Sequence, residues 1–392
     1  DFLVTEALRT TLDEGVAMVG ESVAFLAAEG LRVFFDAEHF FDGYAANAEY
    51  AMRVLEAAAT NGADCLVLCD TNGGSLPHDV QRVTRQVVDY FGGLTIGIHT
   101  QNDSGCAVAN SVAAVVGGAT HVQGTVNGYG ERTGNANLMT VIPDLTLKMG
   151  VATLPDGRMD RLTAVSRHVA ELVNLPPHPA DPYVGSSAFA HKGGLHTSAL
   201  GRAGGATYEH IDPAVVGNRT RVLVSDLGGR AGMSMKAAEF GVELDDRAAA
   251  LLSERLKQLE SEGFVFEAAD ASLELLMLQA TGWSNELFGV EAYRVSAYHR
   301  EGSTSSIEGQ VDLSTEATVK LWVGDERIAS VGEGNGPVNA LDAALRAALL
   351  PHYPGLSRIH LTDFKVRVLD STADTGAVTR VLIDSTDGDD TW

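Results

Sequence analysis

Cysteine is scarce in this chain: Cys65, Cys69 and Cys106 are the only three in 392 residues. Three cannot build a disulfide framework at this length, and none has the C-x-x-C spacing of a thiolate metal site, which suits a reducing cytosol. Basic residues are scarce too, 28 Lys and Arg against 52 Asp and Glu, for a net charge of −24. That balance argues against nucleic acid and anionic membranes as partners, and still allows a local basic pocket for an anionic substrate. No apolar run approaches the roughly 20 residues of a membrane helix, and no signal-peptide pattern opens the chain; the expected location is cytoplasmic. A G-x-S-x-G elbow, a P-loop and a G-x-G-x-x-G after the first strand are also missing. What is present is a globular composition, 45% hydrophobic and 20% charged, in a chain long enough for two or three domains.

Leu12, Val16, Val19, Val23 and Leu26 are spaced as one face of a helix, stopped by Gly30. A short strand follows at Val33–Phe35, a helix through Tyr50–Ala59, a buried strand at Cys65–Cys69, a helix over Asp79–Phe91, a strand at Thr95–Ile98, a helix over Ala107–Val116 and a strand-like Thr120–Gly124. This alternation predicts a parallel sheet covered by helices. A polar cluster ends each strand: "DAEHF", "CDTNGG", "HTQND" and "NGYGERTGN". Polar strand ends all around favour a (β/α)8 barrel over a doubly wound sheet, which gathers its ligands at one switch point. The expected fold class is therefore α/β, with residues 1–152 forming the C-terminal half of a TIM (β/α)8 barrel. Residues 153–285 read as helical linker subdomains with a Pro-, Gly- and His-rich stretch of long loops. Residues 286–392 read as an α+β regulatory or dimerisation domain. The chain opens on Asp1 and stops at Trp392, and both ends read as cut.

His99 and Gln101 stand two apart at a strand end, so both side chains share one side. With Asn135 from the next loop they could hold a divalent ion; alternatively His99 hydrogen-bonds neighbouring loops. Glu38 and Asp70-Thr71 follow the first two strands, where an acid and a hydroxyl would suit a keto acid. For Asp70 and Thr71 the competing role is helix capping. Glu131 either works beside Asn135 or pairs with Arg132. His191 and His196, in "AFAHKGGLH", read as loop histidines, solvated or catalytic. Cys65 and Cys69 read as small core residues.

Together, "FFDAEHFFDGY", "GIHTQNDSGCAVANS", "VQGTVNGYGERTGNANL", "AFAHKGGLH" and "YEHIDPAVVGN" resemble the citramalate synthases. These are similar in turn to isopropylmalate and homocitrate synthases. The resemblance spans essentially the whole chain. It implies an acyltransferase that condenses acetyl-CoA with pyruvate and hydrolyses the thioester, a step towards isoleucine. It also implies a homodimer and an isoleucine or leucine effector. It makes His99, Gln101 and Asn135 metal ligands, and Glu38, Glu131, His196 and Tyr208 catalytic. Thr71, Asp70 and His191 would bind substrate. Gln101 stands where the family commonly has His, so Mg²⁺ or Mn²⁺ is expected over Zn²⁺. The family's Asp-Arg-Glu type motif of the first barrel strand is not in the sequence. The expectation is a chain lacking about four barrel strands, with little synthase activity alone. Two rival readings are an isopropylmalate synthase taking 2-ketoisovalerate, and a non-catalytic amino-acid-sensing or dimerisation paralogue.

Overall fold

The computed structural model describes residues 1–223, 229–266, 269–283, 287–299, 313–389 and 392. It divides into two compact units, residues 1–190 with 203–221, and residues 191–202 with 222–392.

The first unit is built on four parallel strands in the order β1-β2-β3-β4, at Phe34–Ala37, Cys65–Asp70, Thr95–Thr100 and His121–Gln123. Helix α1 (Leu12–Ala28) precedes them, α2 (Phe40–Ala46), α3 (Ala48–Thr60), α4 (Pro77–Tyr90) and α5 (Ala107–Gly117) intervene, and α6 (Leu138–Pro143) follows. Local chemistry sets their starts. Thr11 Oγ1 accepts from Glu14 N at 3.2 Å ahead of α1, and Asn47 Oδ1 accepts from Tyr50 N at 3.1 Å ahead of α3. Leu66, Leu68, Ile96 and Ile98 are buried, and they pack with Leu55, Val80, Val83, Val87 and Ala114 of the helices. Alternation along β2 sends Cys65, Val67 and Cys69 to the other face. There Gly97 matters: a Cβ on it would lie 2.9 Å from His121 Cδ2 and 3.0 Å from Val67 Cγ2. This is the α/β, barrel-type succession expected from the sequence. Helix α7 (Leu162–Leu172) follows.

The stretch read as long loops holds structure of its own. Ala190–His191 (β5) pairs with Arg221–Val222 (β6), and Gly194–Ala203 forms α8. His191 and His196 are thus on a strand and a helix, not on a loop as expected. The glycines of "HKGGLH" sit before and at the start of α8, where they do not interrupt it. Its Thr197 and Leu200, three apart, are buried.

In the second unit, α9 (Gly229–Glu239), α10 (Asp246–Ser261) and α11 (Asp270–Ala280) share a core of Met233, Leu252, Leu256, Leu273 and Met277. Strands β7 (Gly289–His299), β8 (Leu313–Val323) and β9 (Glu326–Gly334) form an antiparallel sheet. Ala317, Val319 and Leu321 of β8 pack on Ala340, Ala344 and Ala348 of α12 (Pro337–Leu349). The four-residue spacing of these alanines gives α12 one flat apolar face. Strands β10 (His360–Val368) and β11 (Thr379–Thr386) form a separate antiparallel ribbon.

Candidate active site

Parallel register puts three side chains in one row: Cys69 of β2 beside His99 of β3, and His99 beside Gln123 of β4. The chain after β4 then folds back along β3. Asn102 N donates to Gly134 O at 2.9 Å, Ala136 N donates to Thr100 O at 3.0 Å, and Gln101 and Asn135 form an antiparallel bridge. This return brings Asn135 to the end of β3 although 36 residues separate it from His99.

His99 is held on both ring nitrogens. Nδ1 lies 2.8 Å from Gln123 Oε1 and Nε2 lies 2.9 Å from Asn135 Oδ1. Gln123 Nε2 in turn donates to Asp36 Oδ1 at 3.0 Å, and Asn135 Nδ2 donates to Tyr129 O at 3.1 Å. Gln101 Oε1 is buried with no hydrogen-bond partner. A buried amide oxygen without a partner costs about 1–3 kcal/mol, and a cation at this point would supply one.

The donor set fits a hard divalent cation: one imidazole nitrogen and two amide oxygens. The 2.9 Å between His99 Nε2 and Asn135 Oδ1 matches the roughly 3 Å edge of an octahedron whose metal–oxygen bonds are about 2.1 Å. The described residues contain no group of three or more His, Cys, Asp or Glu able to hold a metal, so amides would have to serve.

Around this row, Asp70 is buried and its carboxylate is committed. Oδ1 accepts from Ser75 Oγ at 2.8 Å, and Oδ2 accepts from Asn110 Nδ2 at 3.3 Å. Burial pushes its pKa above the ordinary aspartate value, and the Ser75 hydrogen bonds pull it back. The capping role weighed in the sequence is not what this carboxylate does: α4 starts after Leu76 with no side-chain cap, and Asp70 instead holds Ser75 and Asn110. Thr71 Oγ1 accepts from His39 N at 2.7 Å, which leaves its hydroxyl proton to donate. This bond ties the ends of β1 and β2 together; His39 itself has a left-handed φ of 56°, and its ring lies 3.0 Å from Asp42 Oδ2 in α2. Glu38 is exposed, and it and Asp36 both raise the Cys69 thiol, which burial mainly pushes up to about 12. Glu131 is 86% exposed and lies 3.8 Å from Arg132. Arg132 instead grips Asp103 through two hydrogen bonds of 2.8 and 2.9 Å and donates to Thr71 O at 2.7 Å.

The structure thus brings together His99, Asn135 and Gln101 at the end of β3. Thr71 and Asp70 end the neighbouring strand, and Glu38 follows β1. Tyr208 is in the first unit and 44% exposed. His191, buried, and His196, exposed, are in the second unit with their ring centroids 6.4 Å apart. Sequence reasoning missed Gln123, Asp36 and the Arg132–Asp103 clamp. Counting strand ends would have found Gln123, which occupies in β4 the place of His99 in β3.

Residues 1–169 match the HMGL-like family model, residues 183–263 the homocitrate synthase post-HMGL domain-like model, and residues 267–392 the LeuA allosteric (dimerisation) domain. The chain is 49% identical to the (R)-citramalate synthase of Aquifex aeolicus, over 100% of this chain and 73% of that protein. It is 51% identical to the (R)-citramalate synthase of Streptomyces coelicolor, over 98% of this chain and 71% of that protein. It is 48% identical to the (R)-citramalate synthase of Synechocystis, over 100% and 72%. A donor row at the strand ends of a barrel-type sheet, followed by a LeuA-type domain, sits within similarity over the whole chain, and this chain belongs to the (R)-citramalate synthase family.

Proposed function

We propose that this protein condenses acetyl-CoA with pyruvate and hydrolyses the thioester, releasing (R)-citramalate and CoA on the way to isoleucine. The observation that carries the reading is the 2.9 Å approach of His99 Nε2 to Asn135 Oδ1 at the end of β3, where the backbone of Asn135 also bridges that of Gln101, whose Oε1 is buried and unpartnered. His99, Asn135 and Gln101 would hold a divalent cation, Mg²⁺ or Mn²⁺ before Zn²⁺, since two of the three atoms are hard amide oxygens. Such an ion supplies polarisation of a keto carbonyl. The ligand atoms are all uncharged, so an anionic keto acid would bring the compensating charge.

The chain's own groups then have separable tasks. Thr71 offers its free hydroxyl proton to the substrate carboxylate. Asp70, spent on Ser75 and Asn110, holds the β2 end that carries Thr71. Glu38 is the exposed acid beside the row, placed to accept or orient a proton. His196 and Tyr208 are assigned to proton removal from the acetyl group, and His191 to support of His196. Glu131, exposed and next to Arg132, is assigned only a minor part. The LeuA-type domain would form a homodimer and take isoleucine or leucine as effector, which calorimetry with each amino acid tests. The three free cysteines fit a cytoplasmic location, and no described helix is long and apolar enough to cross a membrane.

The test is CoA release by the full-length protein from acetyl-CoA with a panel of keto acids. Release with pyruvate is expected. Release only with 2-ketoisovalerate would make the protein an isopropylmalate synthase. No release with any keto acid, together with amino-acid binding, would favour the sensing or dimerisation reading.

A further inference from the structure

We propose that Gln123, anchored by Asp36, is the positioning residue that sets the tautomer of His99 and aims its Nε2 lone pair at the metal position. The inference rests on the metal-centre reading above.

The geometry leaves little choice. A carboxylate has only acceptors, so the 3.0 Å contact between Gln123 and Asp36 must use the Gln123 NH₂ group as donor. That pins the amide with Oε1 facing His99 Nδ1 at 2.8 Å. Asn135 is pinned the same way, because its NH₂ donates to the Tyr129 carbonyl at 3.1 Å and turns Oδ1 to His99 Nε2. The imidazole therefore stands between two acceptor oxygens, and a neutral ring has one N–H to give. The two sides are not equal. Behind Gln123 stands a full negative charge, which polarises the amide and strengthens its oxygen as an acceptor. Behind Asn135 stands only a backbone carbonyl, and Gln101, whose backbone bridges that of Asn135, has its Oε1 buried without a partner. The proton belongs on Nδ1. The Nε2 lone pair then meets Asn135 Oδ1 at 2.9 Å, an arrangement that is repulsive unless a cation is shared between them.

The device is built into the sheet. Gln123 is the register neighbour of His99 in a parallel pair, so it cannot drift as a loop residue can. Asp36 reaches it from β1, 87 residues away in sequence. Acceptors of this kind behind a metal-bound histidine fix ring orientation and raise basicity, and losing one costs about 10–100-fold in metal affinity.

The experiment is Mn²⁺ titration of the full-length protein, followed by the paramagnetic resonance signal of free Mn²⁺, with the melting temperature of each metal-free variant recorded alongside. Gln123→Met is expected to weaken Mn²⁺ binding about 10–100-fold. Asp36→Asn is expected to weaken it as well, though less, because an amide oxygen at this position can still accept from Gln123 Nε2 but no longer brings the charge that polarises the Gln123 amide. The double variant Asp36→Asn with Gln123→Glu moves the charge along the relay. Its new amide donates to the new carboxylate, which again accepts from Nδ1, and affinity returns to within a few-fold of the wild type. A merely structural role for these side chains predicts no such recovery. Unchanged affinity in Gln123→Met, or no recovery in the double variant, overturns the proposal. Failure of the underlying reading looks different: His99→Ala would then bind Mn²⁺ as the wild type does, which removes the metal centre and the relay with it.

Discussion

A glutamine at position 101 presents a hard amide oxygen where an imidazole would present a softer nitrogen. With Asn135 already an amide, the proposed metal site would offer one nitrogen and two oxygens, a set suited to Mg²⁺ or Mn²⁺. Gln101→His would make it two nitrogens and one oxygen, and the order of preference should move towards Zn²⁺. Competition binding among the three metals reads this directly, and an unchanged order sinks the idea. Asp70 makes a different residue-scale case. Its carboxylate satisfies the Ser75 backbone and hydroxyl donors and the Asn110 amide inside the sheet end. Asp70→Ala leaves those buried donors unmet and should cost about 1–3 kcal/mol, seen as a lower urea midpoint with an unchanged slope. A midpoint equal to the wild type would mean that water replaces the carboxylate at no cost.

The loop after β4 is the element on which the site depends, and its shape rests on close backbone approach. Gly134 has φ +93°, and a Cβ there would run into the Gly128 carbonyl. Gly134→Ala must therefore displace the segment that presents Asn135. Mn²⁺ affinity should fall at least about tenfold, on the scale of a lost supporting contact, with the rest of the fold retained by circular dichroism. The Arg132–Asp103 clamp holds the same loop from outside. Arg132, itself at a left-handed φ of 54°, keeps the Asp103 carboxyl below its ordinary pKa of 3.8 by hydrogen bonding. A depressed carboxylate stabilises the fold above its unfolded pKa and loses that contribution as pH falls through the folded value. Arg132→Ala should therefore lower the melting temperature at neutral pH, with the gap closing below 3.8. A gap that persists in acid would assign it to packing or to the Arg132 hydrogen bond on Thr71 O instead of the Asp103 charge. Much of the first unit was legible in the sequence. The apolar runs, the stop at Gly30, and the clusters at strand ends all rest on local chemistry. Gln123 could be found as a strand-end residue, but its pairing with His99 and Asp36 could not, because that comes from parallel register between strands, which no local pattern encodes. Helix α8 was hidden by its glycines, and only its buried Thr197 and Leu200 explain it.

At the scale of the molecule, a net charge of −24 keeps copies apart in general, so association needs a specific apolar surface. The β10–β11 ribbon offers one. Phe364 is paired with Ile383 and Val366 with Val381, on one face of a two-stranded sheet. All four are exposed, Val366 at 56% and Ile383 at 55%. An antiparallel pair is marginal alone in water, and a contiguous apolar face on it marks a surface meant to be covered. Residues 267–392 match a dimerisation domain, which makes a second copy of the chain the expected cover. Val366→Asp places a charge at the centre of that face, and in a two-fold interface each change is made twice. Sedimentation equilibrium should then show a monomer where the wild type is a dimer, while metal binding at the proposed site is expected to persist, since His99, Gln101 and Asn135 all lie in the first unit. If Val366→Asp remains dimeric, the interface lies elsewhere in the domain, and the exposed ribbon must be stabilised by something other than its own copy.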